Sequence, residues 1–168
     1  PIPVAIQNAP QYLGVGLSDA GLHTLCRNHE NFTLLKGEGS ALQIAETIKA
    51  VDGALAVLNG RGGLELTDNI RAGCVGMIPA PECADVQIRI YKQMRAGNET
   101  EAERQYEKIL PLITFLMQSV DQFLCYGKRL TARRLGLGPV HDRKPCQHPT
   151  DLGTAIFERY SRELGTYR

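Results

Sequence analysis

The chain has 168 residues, 43% hydrophobic and 22% charged, which is enough for one domain with a real core. A net charge of +1 and a pI near 8.1 give no electrostatic case for nucleic acid or an anionic membrane as a partner. No apolar run reaches the roughly 18 residues of a membrane span. The start, PIPVAIQNAP, lacks a basic segment and a long apolar core, so it does not read as a signal peptide. Without an initiator methionine, Pro1 reads as an internal or processed position. Five cysteines (Cys26, Cys74, Cys83, Cys125, Cys146) include no CxxC pair and have no histidine at ligand spacing. They read as reduced thiols of a cytoplasmic protein, with no metal site and no disulfide frame.

IPVAIQ (2–7) is short, apolar and β-branched, and predicts a strand. Ser18 is placed to cap a helix over 18–30, with Leu22, Leu25 and Cys26 on one face. FTLLK (32–36) predicts a second strand, and Ser40 caps a helix over 41–51 with Leu42, Ala45, Ile48 and Val51 on its stripe. ALAVLN (54–59) predicts a third strand, broken by GRGG; 64–73 predicts a short helix stopped by Gly73. CVGMIPA (74–80) and the helix over 85–98 complete a fourth strand–helix unit. Apolar strands alternating with helices predict an α/β fold with a parallel sheet.

From residue 99 the pattern turns all-helical. The segments 99–120, 121–136 and 150–165 predict helices, with Pro111 kinking or dividing the first and a proline-rich loop before the last. The expected domains are therefore 1–98, four βα units, and 99–168, a helical extension.

Each predicted strand ends in polar or glycine residues: QNAP, KGEGS, NGRGG, PAPE. In an α/β barrel those ends form the active face, so Gln7, Lys36, Gly60 and Pro79 are expected at one mouth. Lys36 follows an apolar run. A lysine amine among apolar neighbours favours its uncharged, nucleophilic form, which can attack a ketone to give a Schiff base. The imine then draws electrons from the adjacent carbon and opens aldol or β-elimination chemistry. Glu38 is placed to hold a hydroxyl, relay a proton or pair with a cation. The plainer reading of Lys36 is a snorkelling surface residue.

The order IPVAIQNAP, FTLLKGEGS, AVLNGRGG, AGCVGMIPA resembles the dihydrodipicolinate synthase and N-acetylneuraminate lyase family of class I, Schiff-base-forming enzymes. The resemblance implies a (β/α)8 TIM barrel, of which this chain holds strands 5–8, followed by a C-terminal helical bundle. It implies no cofactor and no metal, a small-molecule 2-keto acid as substrate, and a homo-oligomer, tetramer or dimer. It makes Lys36 the Schiff-base lysine, with Gln7 and Glu38 beside it as catalytic residues. It places Gly60 at the turn facing the keto acid and Ile78 at the end of strand 8. Two further substrate-binding candidates come from position alone: Arg61, which reads as a carboxylate binder at the mouth or as a surface arginine, and Asn8, which reads as a turn residue that also orients Gln7. Gln7 stands where most members carry a tyrosine, and QYLG stands where the synthases proper carry an arginine, with Tyr12 off the motif position. Glutamine donates and accepts hydrogen bonds but does not shuttle a proton as a phenol does.

That pattern argues against a lysine-pathway synthase. QNAP with KGE is similar to a branch that dehydrates 2-keto-3-deoxy sugar acids such as 2-keto-3-deoxyarabonate. The family's first four strands have no counterpart here, so the chain is expected to be the C-terminal portion of a longer polypeptide. The alternatives are a catalytically silent member acting as a binding or regulatory protein, and a scaffold whose lysine is structural. GRGG lacks Walker spacing, the four histidines read as solvated, and KRLTARR (128–134) reads as a solvated helix face or subunit contact.

Overall fold

The computed structural model describes residues 2–167 and divides the chain into two units, Pro1–Pro79 and Ala80–Arg168. In the first unit the elements run β1 (Val4–Asn8), α1 (Pro10–Leu13), α2 (Asp19–Asn28), β2 (Phe32–Gly37), α3 (Ala41–Val51), β3 (Ala56–Asn59), α4 (Leu66–Arg71) and β4 (Gly76–Met77). The strands pair in parallel in the order β1-β2-β3-β4, each new strand beside the last. Such winding follows from repeated βα units with one handedness.

Local chemistry sets the helix starts. The Ser18 hydroxyl accepts from the Gly21 N–H at 3.2 Å. Ser40 accepts from the Gln43 N–H at 3.3 Å while the Gln43 side chain accepts from the Ser40 N–H at 3.0 Å, a complete capping box. PQYL forms the short helix α1: Pro10 sits at its first helical position and Gly14 ends it with φ 72°.

Because strand side chains alternate, the sheet has two different faces. Leu35 and Val57 point to the helices and pack with Leu22, Phe32, Ile44, Val51, Leu55 and Cys74, with Ile6 against them. On the opposite face Gln7, Lys36, Leu58 and Gly76 stand in one cross-strand row. Ala5 and Gln7 are exposed there, and Leu34, Lys36, Ala56 and Leu58 are half-buried.

The second unit is helical: α5 (Ala84–Arg95), α6 (Glu99–Leu116), α7 (Val120–Gln122), a π-helical turn (Phe123–Gly127) leading into α8 (Lys128–Leu135), and α9 (Asp151–Ser161). Two points differ from the sequence reading. Helix α5, counted there with the fourth βα unit, groups with the helices, because it packs along α6. Pro111 does not divide α6, which runs through it. Pro111 is exposed, so water can reach the carbonyl one turn back that lacks its N–H partner.

Leu112, Leu116, Cys125, Tyr126, Leu130 and Phe157 form the core of this unit. A Cβ on Gly153 would lie 1.8 Å from the Tyr126 hydroxyl, so the absence of a side chain lets α9 close on that ring. Among the described residues, no single helix is long and apolar enough to cross a membrane.

Glu82, just before α5, is 1% exposed. Burial pushes its carboxyl up to about 7 from 4.5, against the opposing pull of its own backbone N–H and of Arg134. The folded state thus holds this proton more tightly than the unfolded chain. Its stabilising contribution is complete below about 4.5 and is lost as pH rises through about 7. Glu82→Gln stays neutral. It is expected to match the wild type at the acid end of that window and to exceed it at the basic end by at most roughly 3 kcal/mol. Urea unfolding across the window reads this directly, and parallel profiles for the two proteins would show that ionised Glu82 carries no penalty.

Candidate functional site

Lys36 and Glu38 lie two residues apart, so the strand's alternation brings both to the face that carries Gln7. The Lys36 Nζ is 2.7 Å from Glu38 Oε1, and the side chains are 21% and 8% exposed. Leu34 and Leu58 share the face of this lysine, as the apolar run of β2 suggests, and the group its ammonium meets is the Glu38 carboxylate. Gln7 donates from Nε2 to the same oxygen at 3.4 Å. The other oxygen, Oε2, accepts from the backbone N–H of Arg61 at 2.9 Å.

Gly60 explains how that carboxylate fits. A Cβ there would lie 2.4 Å from Glu38 Oε1 and 2.8 Å from Oε2. The turn after β3 therefore holds the Glu38 carboxylate against backbone, with Arg61 at φ 52° presenting its N–H. Gln7, Lys36, Glu38, Gly60 and the Arg61 backbone thus form one cluster at the carboxyl ends of β1, β2 and β3.

The other expected site residues are placed differently. The Arg61 side chain turns to Glu65, Nη1 to Oε2 at 2.8 Å, while its buried Nε–H has no hydrogen-bond partner. Asn8 is committed to structure: its amide donates to the Leu17 carbonyl and accepts from the Leu17 N–H, both at 2.9 Å. Ile78 donates its N–H to the Asn59 carbonyl at 2.7 Å, and the residue is 42% exposed. A cleft of about 340 Å³ runs beside Asn8, Gly37, Glu38 and Gln43, and Lys36 is not part of its lining.

Asn59 was missed by the sequence reading. It is fully buried and donates from Nδ2 to the Gly39 carbonyl at 2.9 Å and to Asn69 Oδ1 at 2.8 Å. Its Oδ1 accepts from the Gly60 N–H at 2.7 Å. Asn69, also buried, donates in turn to the Glu65 carbonyl at 2.7 Å. This amide pair fixes the NGRGG turn that holds Glu38. The signal was there: Asn59 shares its face with Val57, and an amide on a buried face must find partners.

Among the described residues, no group of three or more His, Cys, Asp or Glu side chains could hold a metal ion. All five cysteines are free, and burial raises the Cys74 and Cys83 thiols to about 11 and about 12.

Solved structures superpose on the chain closely. Dihydrodipicolinate synthase from Rhodopseudomonas palustris matches with a TM-score of 0.85 at 24% identity, over 95% of this chain and 55% of that one. The chain has the fold of the dihydrodipicolinate synthases and the sialic acid aldolases. A synthase from Acinetobacter baumannii, chloride-inhibited and complexed with pyruvate, matches with a TM-score of 0.82 at 19% identity, over 98% and 56%. A catalytic-lysine mutant of Ruminococcus gnavus sialic acid aldolase matches with 0.80 at 18%, over 95% and 53%. The resemblance drawn from QNAP, KGEGS and NGRGG is thus met in the fold. The chain spans little more than half the length of these structures. No family model matches the chain, and no curated protein does.

Proposed function

We propose that the chain carries the lysine-bearing part of a Schiff-base-forming lyase that acts on a 2-keto acid, with Lys36 as the amine. The observation that carries this reading is the 2.7 Å contact between Lys36 Nζ and Glu38 Oε1 at the carboxyl ends of a parallel sheet. An ammonium must lose a proton before it can attack a ketone. Glu38 is within reach to take that proton and return it to the carbinolamine hydroxyl that leaves as water. Gln7 directs an amide N–H toward the same carboxylate, where it can hold a substrate hydroxyl or a water. The unpartnered Nε–H of Arg61 is a donor available to a substrate carboxylate once the side chain shifts from Glu65.

The fold likeness supports the class, since the similar structures include one bound to pyruvate and one mutated at a catalytic lysine. In this reading the four strands are strands 5–8 of a (β/α)8 barrel and the remaining strands lie outside the chain. Gln7, with no phenol in its place, favours dehydration of a 2-keto-3-deoxy sugar acid over the synthase reaction.

The test is borohydride reduction of the complete polypeptide with pyruvate or a 2-keto-3-deoxy acid, followed by peptide mass mapping. A reduced adduct on Lys36 is the expected result. No adduct with either ligand across a range of pH would overturn the imine reading and leave a silent, ligand-binding protein.

A further inference from the structure

The helical unit holds a cleft of about 590 Å³ that the lysine chemistry does not use. Its floor is apolar, from Val86, Ile109 and Leu164. Its walls carry Arg89 from α5, Arg104 and Lys108 from α6, Arg159 from α9 and Arg162 from the 3-10 turn that follows α9. Glu163 is the one carboxylate among its lining residues. The whole chain has a net charge of +1, so this is a local concentration of positive charge, not a reflection of composition.

Carboxylates within the unit neutralise only part of it. Arg104 is held by Glu101 through two hydrogen bonds of 2.7 Å. Arg89 lies 3.7 Å from Asp85, a carboxylate already engaged by both nitrogens of the Arg134 fork. Arg159 stacks over the Tyr160 ring at 4.8 Å and forms no salt bridge among the described residues. Lys108 and Arg162 form no salt bridge among the described residues. Like charges gathered around one concavity repel each other, and an anion in the cleft relieves that repulsion.

We propose that this cleft binds a small organic anion carrying two or more phosphate groups. Four of the five cations are guanidinium groups, whose planar forks match phosphate oxygens in pairs. They come from three helices and a turn, so they approach a ligand from several directions. The volume falls in the range of about 300–1,000 Å³ typical of organic ligands and exceeds what inorganic phosphate fills. The apolar floor and Tyr160 suit an uncharged body between the phosphates. This inference is independent of the Lys36 reading.

Calorimetric titration of the complete polypeptide with a hexose bisphosphate, ADP, citrate and inorganic phosphate tests it. Saturable binding of the bisphosphate or ADP is expected, tighter than that of citrate or phosphate and weakened by added salt. Arg162→Glu and Lys108→Glu, which break no ion pair, are each expected to weaken it at least about tenfold, the loss of one charge-assisted hydrogen bond. Lys49→Glu changes net charge equally in the other unit and serves as the control. An unchanged circular dichroism spectrum confirms that each variant is folded. No saturable binding of either phosphate ligand, an equal loss in Lys49→Glu, or citrate binding as tightly as the bisphosphate would each overturn the proposal.

Discussion

Lys36→Arg is expected to remove the borohydride-stable adduct altogether while leaving the protein folded. A guanidinium stays protonated at any working pH and is no nucleophile, so it cannot form the imine. It still offers Glu38 a cation, so the ion pair at 2.7 Å has a substitute and loss of fold is not the cause. Glu38→Gln separates the two roles at this site. The amide still accepts from the Arg61 N–H, the contact made at 2.9 Å by the carboxylate, but it takes no proton from Lys36. The rate of adduct formation is expected to fall about 10²–10⁴-fold, the usual contribution of a general base, while the adduct at equilibrium changes far less. A merely structural Glu38 would lower both together. An adduct that persists in Lys36→Arg, mapped to another lysine, would sink the assignment.

The strand–helix alternation was legible because it rests on local signals. Ser18 and Ser40 cap the helices they precede, and FTLLK forms the strand its β-branched and apolar residues predict. The pairing of Lys36 with Glu38 was half legible: a period of two puts them on one face, but which face meets the helices depends on Leu35 and Val57 packing with α2 and α3. Of the run FTLL only alternate residues share the face of Lys36, and nothing in that run marks the carboxylate beside its ammonium. The hold of Gly60 on Glu38 spans more than twenty residues of sequence, and the Asn59–Asn69 pair joins a strand to a helix. Neither leaves a periodic trace. The tie of α5 to α8 was hidden for the same reason, since it is a buried ion pair between Asp85 and a residue far along the chain, added to the packing of α5 along α6.

That ion pair carries the largest expected effect on stability. Arg134 and Asp85 side chains are 1% and 3% exposed, with Nη1–Oδ1 at 2.7 Å and Nη2–Oδ2 at 2.8 Å. The bidentate hydrogen bonds to Asp85 raise the pKa of the guanidinium above its ordinary value. The same Arg134 donates from Nη1 to the Glu82 carbonyl at 2.8 Å and from Nε to the Gly165 carbonyl at 3.1 Å. Its guanidinium lies 4.9 Å from the centre of the Tyr167 ring. One side chain therefore ties α8 to the start of α5 and to the segment after α9. Arg134→Met fills similar volume but removes the bidentate partner of the buried Asp85 carboxylate and the donor to these carbonyls, and is expected to cost about 3–5 kcal/mol, a large share of a domain's total. Arg134→Lys keeps a charge without the fork and is expected to lose less. Where a buried pair acts alone, replacing both partners often restores stability. Here Arg134→Met with Asp85→Leu should recover only the share due to the carboxylate that lost its bidentate partner, because the carbonyls of Glu82 and Gly165 still lose the Arg134 donor. Urea unfolding of the single and double variants measures that coupling, and proteolysis after residue 161 should quicken wherever Arg134 is lost. Full recovery in the double variant would reduce Arg134 to a partner for Asp85 and remove its role in holding the C-terminal segment.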